Sequence, residues 1–415
     1  MSDSGVLAVL KATPNPVRYL FAGMIINQLG AFVQTFLVLY LTFRGVPVAV
    51  AGICVAAYSV GSIFGSMAGG ELAHRFGSRA TIAAAMTCSG PLVATIPFVS
   101  GQGTPWALFG VVALAGLVTQ AYRPAAALLL ADLMPEQHRV MGFSMMRIAL
   151  NIGAAVAPML AALLILLDWD LLFWADGATA LVWALLAFVL LPKGTTARRE
   201  AEPAVPATSG RAVYAVLLRD RRFLCYLLAA MFGMIVYAGS MAALPLEIVA
   251  DGYPTGLYSA VLMISSIVLI TCELKITTYI VRIPKRLAGF SGNVVTGLGF
   301  ALYGLMAVHP VFVVVGALLV VAGLMIHGPS TSSHPATFPA HLRSRYIGTR
   351  ESVIGFAAAT GPIVGLSIRG WLGGPVFWAF CALLSVAAGS LHLYGLKQVA
   401  VPNPRPEPEV VGERS

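Results

Sequence analysis

Gly70-Glu71-Leu72-Ala73-His74-Arg75-Phe76-Gly77-Ser78-Arg79 joins two apolar runs, 48–73 and 80–99. A helix that crosses a bilayer needs roughly 20 predominantly apolar residues. Both runs meet that length, so the charged stretch between them reads as a short turn at one membrane face. Gly77 suits the tight turn, because it carries no Cβ. Arg75 and Arg79 suit the surface of an anionic leaflet. A hairpin of two crossings is the unit from which the rest of the chain can be read.

The same reading extends in both directions. Apolar runs at 18–43, 48–73, 80–99, 105–131, 142–167 and 171–191 are followed by a polar break, then by 223–246, 256–280, 287–308, 311–333, 347–369 and 374–396. That is six crossings, a break and six more. The composition agrees: 58% of the 415 residues are hydrophobic and 10% charged, against about 25% charged in a soluble domain. A water-soluble enzyme, a secreted disulfide scaffold and a disordered chain are excluded. The net charge of +9 does not point to nucleic acid, because the bases are strung between apolar runs instead of gathered on one polar face. Cys54, Cys88, Cys225, Cys272 and Cys381 lie inside apolar stretches without metal-ligand spacing, and no metal or cofactor is expected. Met1 to Pro16 lacks the basic start and apolar core of a cleavable signal.

The bases fix an orientation. With the N-terminus inside, 20 of the 26 Lys and Arg residues fall in inner segments and only Arg44 and Arg369 in outer ones; Arg123, Arg147, Lys275 and Arg350 lie within helices or at their ends. The positive-inside rule then places both termini in the cytoplasm, in a cell inner (plasma) membrane. The expected organisation is an N-terminal segment 1–17, a bundle 18–192, a cytoplasmic linker 193–222, a second bundle 223–396 and a disordered tail 397–415. The halves echo each other. Arg139-Val-Met-Gly142 precedes Gly153 and Pro158, and Arg345-Tyr-Ile-Gly348 precedes Gly361 and Pro362. A proline inside a spanning helix bends it, and small neighbours let another helix approach. Two halves with matching features mark a transporter built on repeats.

The stretch Gly70, Leu72, Arg75, Gly77 and Arg79 resembles the loop signature Gly-x-Leu-Ala-Asp-Arg-x-Gly-Arg-Arg/Lys of the major facilitator superfamily, with His74 where the family has Asp. The run Gly153-Ala-Ala-Val-Ala157-Pro158-Met-Leu-Ala161-Ala162 resembles the antiporter signature of the fifth helix, with alanine replacing three glycines. Arg123 stands where the family often places an intramembrane arginine. Within the family the chain is most similar to the twelve-helix drug:proton antiporters. The resemblance implies an all-α integral membrane fold, twelve transmembrane helices in two pseudo-symmetric six-helix bundles. It implies that Gly70 lets the second and eleventh helices approach, and that the loop's acid holds one conformation through contact with the eleventh helix. His74 carries no fixed negative charge, so either that latch is weak or Glu71 substitutes.

Ionisable groups at mid-membrane are expensive unless paired or hydrated. Glu273 is the only acid far inside a helix and is the candidate proton carrier; the alternative is a structural carboxylate near Arg282 or another inner base. Lys275, two residues on, cannot share its helical face and is expected to snorkel. Asp176 and Glu247 are read as lying near outer helix ends within reach of water. Asn27, Gly30, Ala31 and Gln34 form a small polar stripe on the first helix, which lines the cavity in the family. Asn27, Gln34, Tyr58, Gln120, Tyr122, Arg123 and Tyr237 are the expected cavity residues, in an apolar cavity suited to an amphipathic solute. Conformational control is assigned to Gly70, Glu71, His74, Arg75, Gly77, Arg79, Gly153, Pro158, Gly361 and Pro362.

The expected function is a secondary active exporter of small amphipathic molecules, driven by protons and working as a monomer among membrane lipids. A facilitator or importer of a metabolite is the alternative. A membrane-embedded enzyme would need clustered acids or histidines at a membrane face; His327, His334 and His341 share a face but have no nearby acid in sequence.

Overall fold

The structure, a computed structural model, describes residues 11, 13–100, 105–193 and 217–397. Most of the expected linker and tail lies outside them. The described residues form helices joined by turns, with no strand.

The first crossing is not one helix. α1 (Asn15–Leu29) and α2 (Val33–Phe43) are separated at Gly30–Phe32. α3 (Val48–Phe76) makes the second crossing. α4 (Ser78–Ala94) and the single turn α5 (Ile96–Ser100) make the third, α6 (Pro105–Leu133) the fourth, α7 (Arg139–Leu167) the fifth and α8 (Leu171–Leu190) the sixth. The second half contributes α9 (Arg221–Ala250), α10 (Thr255–Ile280), α11 (Lys285–Tyr303), α12 (Val311–Ser333), α13 (Ala340–Leu372) and α14 (Gly374–Gly395).

Ten of the described helical segments are long and apolar enough to span a membrane. The other two crossings are exceptions for physical reasons. The halves of the first have only 15 and 11 residues. α11 opens with Lys285 and Arg286 and buries a small, polar face against its neighbours. A Cβ added at Gly292 would lie 2.7 Å from the His327 amide, and one at Gly299 2.6 Å from the Gly316 carbonyl. A helix packed this closely inside the bundle has little need of an apolar surface. The third crossing breaks where Thr95 caps α4 and Pro97, which has no amide hydrogen, follows.

Gly77 has φ +86°, a conformation few side chains tolerate, and it alone separates α3 from α4. The internal repeat is visible in packing. A Cβ at Gly153 of α7 would lie 2.5 Å from Cβ of Gln28 in α1, and one at Gly361 of α13 would lie 2.8 Å from Cβ of Ala238 in α9. The same close approach, fifth crossing on first and eleventh on seventh, thus occurs in both halves. Pro158 and Pro362 sit inside α7 and α13.

The halves meet along two seams, α3 against α13 and α7 against α10. The polar bonds that join them cluster toward the end that carries the turns at 77, 134–138, 281–284 and 334–339, here called the basic end. There Arg343 bonds Asp132 at 2.6 Å and Arg345 bonds Glu71 at 2.9 Å. At the opposite end, ties run within a half: Tyr40 donates to Asp170 at 2.7 Å, and Arg369 pairs with Glu247.

Candidate functional site

Asn27, Tyr58, Gln120, Tyr122 and Arg123 line one cavity of about 70 Å³, enclosed by helices of the first half alone. The cavity is polar, where an apolar one was expected: amides, hydroxyls and two charges face it. Asp176 completes it, and Asp176 does not lie within easy reach of water as the sequence suggested. It is 5% exposed.

Its position follows from the break in the first crossing. Gly30 leaves helical geometry, and Phe32 N–H donates to the Gly30 carbonyl at 2.7 Å. When α2 restarts, the Phe32 and Val33 amides donate to Oδ2 of Asp176, at 3.1 and 3.2 Å. A carboxylate at the positive end of a helix is stabilised by those amides and by the helix dipole. α8 presses directly on the break: a Cβ on Gly30 would lie 2.0 Å from Thr179 Oγ1.

One expected cavity residue is not placed there. Tyr237, on α9 in the other half, is 36% exposed and does not line this cavity. The side chain of Gln34 lies outside the described residues, as does that of His341. His334 is buried at the end of α12, between Tyr226 and Phe338.

A second site lies on the α7–α10 seam. Glu273 has 0% exposure. Its partner is Arg147, from the other half, with Nε 3.4 Å from Oε1. Neither Arg123 nor Arg282 fills that role. Ser144 donates to the same oxygen at 3.2 Å and shares a 2.9 Å hydrogen bond with Thr277. Oε2 is buried without a hydrogen-bond partner. Arg147 also donates to the Leu324 carbonyl at 2.8 Å. Gly328 leaves room for it, since a Cβ there would coincide with the guanidinium. Lys275 is exposed and points away from this group. Sequence reading does not single out Arg147, which stands with Arg123, Lys275 and Arg350 among the bases within helices or at their ends. It stands eight residues inside α7, roughly 12 Å along the axis, and that depth was the available signal.

On the α3–α13 seam, a Cβ on Gly70 would lie 2.9 Å from the Gly348 Cα. Glu71 accepts from Arg345 at 2.9 Å and from Arg75 at 2.8 Å. The contact between loop acid and eleventh crossing is therefore made by Glu71. His74 is half-buried in the last turn of α3. Arg79 donates to the Phe188 carbonyl and lies over its ring, 5.1 Å from the centroid.

Two helical halves joined at one end, with a polar cavity in one half and a buried ion pair on the seam, define a membrane carrier. Residues 20–335 match the Major Facilitator Superfamily, and the chain belongs to that family. A Na(+), Li(+), K(+)/H(+) antiporter of Planococcus maritimus is 24% identical over 385 residues, covering 84% of this chain and 89% of the relative. The E. coli fucose:proton symporter FucP superposes with TM-score 0.75 at 14% identity, over 92% of this chain and 99% of that one. The human organic anion transporter MFSD10 superposes with TM-score 0.71 at 18% identity, over 91% and 99%. The structural likenesses carry the fold; none of these similarities singles out a drug-exporting branch.

Proposed function

We propose that the chain is a proton-coupled secondary antiporter that exports a small solute across the plasma membrane by alternating access, as a monomer with both termini cytoplasmic. The polar lining narrows the expected amphipathic solute to a polar one. The observation that carries the reading is the Glu273–Arg147 pair, 3.4 Å apart, buried and bridging the two halves. Opening the basic end separates these groups. The ionised, paired acid therefore favours the closed basic end, and a proton on Glu273 removes that preference.

The directions fit antiport. The positive-inside distribution supports a cytoplasmic basic end, so the joined basic end closes the cytoplasmic side on this reading. A proton taken up from outside releases the pair and lets the basic end open. The proton leaves inside, solute binds, and re-formation of the pair carries the solute outward. The similarity to the Planococcus Na(+), Li(+), K(+)/H(+) antiporter supports exchange against protons. Its metal cations fit less well here, because the cavity contains Arg123.

The test uses proteoliposomes. Glu273→Gln is expected to abolish accumulation driven by a pH gradient while solute exchange between the two sides continues. Full uphill transport by Glu273→Gln would remove Glu273 from the coupling and favour a facilitator or another acid.

A further inference from the structure

The first-half cavity contains one acid and one base that do not pair. Arg123 makes no hydrogen bond or ion pair with a described residue, and its Nε is buried without a partner. Asp176 faces the same cavity, yet no ion pair within 4.0 Å joins it to Arg123 among the described residues. Opposite charges in a water-poor cavity attract strongly. Oδ2 of Asp176 is committed to the Phe32 and Val33 amides, and the Arg123 guanidinium, on α6, stands apart from it in the same cavity. An unpaired guanidinium inside the membrane costs several kcal/mol unless something hydrates or neutralises it.

We infer that this cavity binds a small zwitterion, with its carboxylate on Arg123 and its ammonium group on Asp176. The inference rests on the transport reading for its purpose, but not for its chemistry. Gln120, Asn27 and Tyr58 offer neutral donors and acceptors alongside the two charges. The volume of about 70 Å³ holds roughly five waters at about 10–15 Å³ each, the size of a short amino acid. A simple anion would satisfy Arg123 but would sit in the same cavity as the carboxylate. A simple cation would meet the opposite problem at Arg123. An apolar solute would leave the amides and both charges without partners, which is costly in a buried site.

The test measures binding to the purified full-length protein in lipid nanodiscs, without a gradient. The probes are glycine, L-alanine, β-alanine and γ-aminobutyrate, which step the charge separation, with propionate and propylammonium as single-charge controls. At least one amino acid is expected to bind roughly tenfold or more tightly than either control. Asp176→Asn keeps an oxygen to accept from Phe32 and Val33 but removes the charge, so the helix break should survive. That variant is expected to lose the preference for the amino acid over propionate, and Arg123→Gln to lose the preference over propylammonium. If propionate binds wild type as well as the amino acids, the site takes anions and Asp176 is only a helix cap. If propylammonium does so, the site takes cations. No binding by any amino acid also overturns the inference. Because no gradient is present, each of these results leaves the proton-coupling test unaffected, and failure of that test leaves this one standing.

Discussion

The two seams between the halves are related by the internal repeat but differ in chemistry. Along α3 and α13, backbone meets backbone. Gly70 faces Gly348, Ser352 donates to the Ile63 carbonyl at 3.3 Å, and the charges of Glu71, Arg75 and Arg345 gather at the basic rim. Along α7 and α10, side chains fill the space, and an acid and a base from opposite halves are buried together. Closure of the first seam rests on close backbone fit, with the Glu71–Arg345 pair at its basic rim. Closure of the second includes a charge pair that one proton dismantles. On the proposed reading, one fold thus keeps a steric seam beside a proton-sensing one.

The largest effect is expected at the second seam. Arg147→Ala leaves Glu273 buried without its base, a change worth about 3–5 kcal/mol against the closed basic end. Spin-label distances across that end should lengthen. Replacing both partners with apolar residues, Arg147→Met with Glu273→Leu, should restore much of the closure. If the double variant stays as open as the single one, the pair is not what holds the seam.

A smaller effect is expected at the first seam. Gly70→Leu forces a side chain into a 2.9 Å approach to Gly348, and overpacking of this kind costs about 1–3 kcal/mol. Distances should again lengthen, while the pH response that depends on Glu273 is retained. Loss of that pH response would erase the distinction between the seams.

The first seam was legible in sequence and the second was not, for a physical reason. Gly77 shows its role locally, since a positive φ follows from having no side chain, and the approach of Gly70 to the eleventh crossing is what the resemblance of the loop to the family implies. Glu273 was visible as a deep acid, but its base lies in another helix of another half, which only the folded chain brings near. The same contrast holds in the cavity. Asn27 and Gln120 could be placed from helical spacing and Arg123 from its depth, whereas Asp176 depends on a break in the first crossing. That break shows in sequence only as Gly30-Ala31-Phe32. It becomes a feature of the cavity because α8 brings a carboxylate to the freed amides. The apolar runs mark the crossings, α11 among them although its small polar face is hidden by its neighbours, but they do not show the break in the first.

The smallest effect is expected at the rim. His74→Asp restores the acid of the family loop, but Glu71 already accepts from Arg345. A further charge at this half-buried rim position adds about 1 kcal/mol toward the closed basic end. The gain should shrink as salt is raised, since such charges are screened. A large, salt-insensitive shift in the same distance distribution would show that Glu71 does not fill the role.

On the proposed reading, the proton on Glu273 controls the basic end. Spin labels at Gln137 and Arg286, both exposed and on opposite halves, report the distance across that end as pH is varied by double electron–electron resonance. Wild type is predicted to shift from the short to the long distance as pH falls, because protonation removes the charge that pairs with Arg147. Glu273→Gln is predicted to favour the long distance at every pH, with the shift abolished. A wild-type-like pH response in Glu273→Gln would contradict the account.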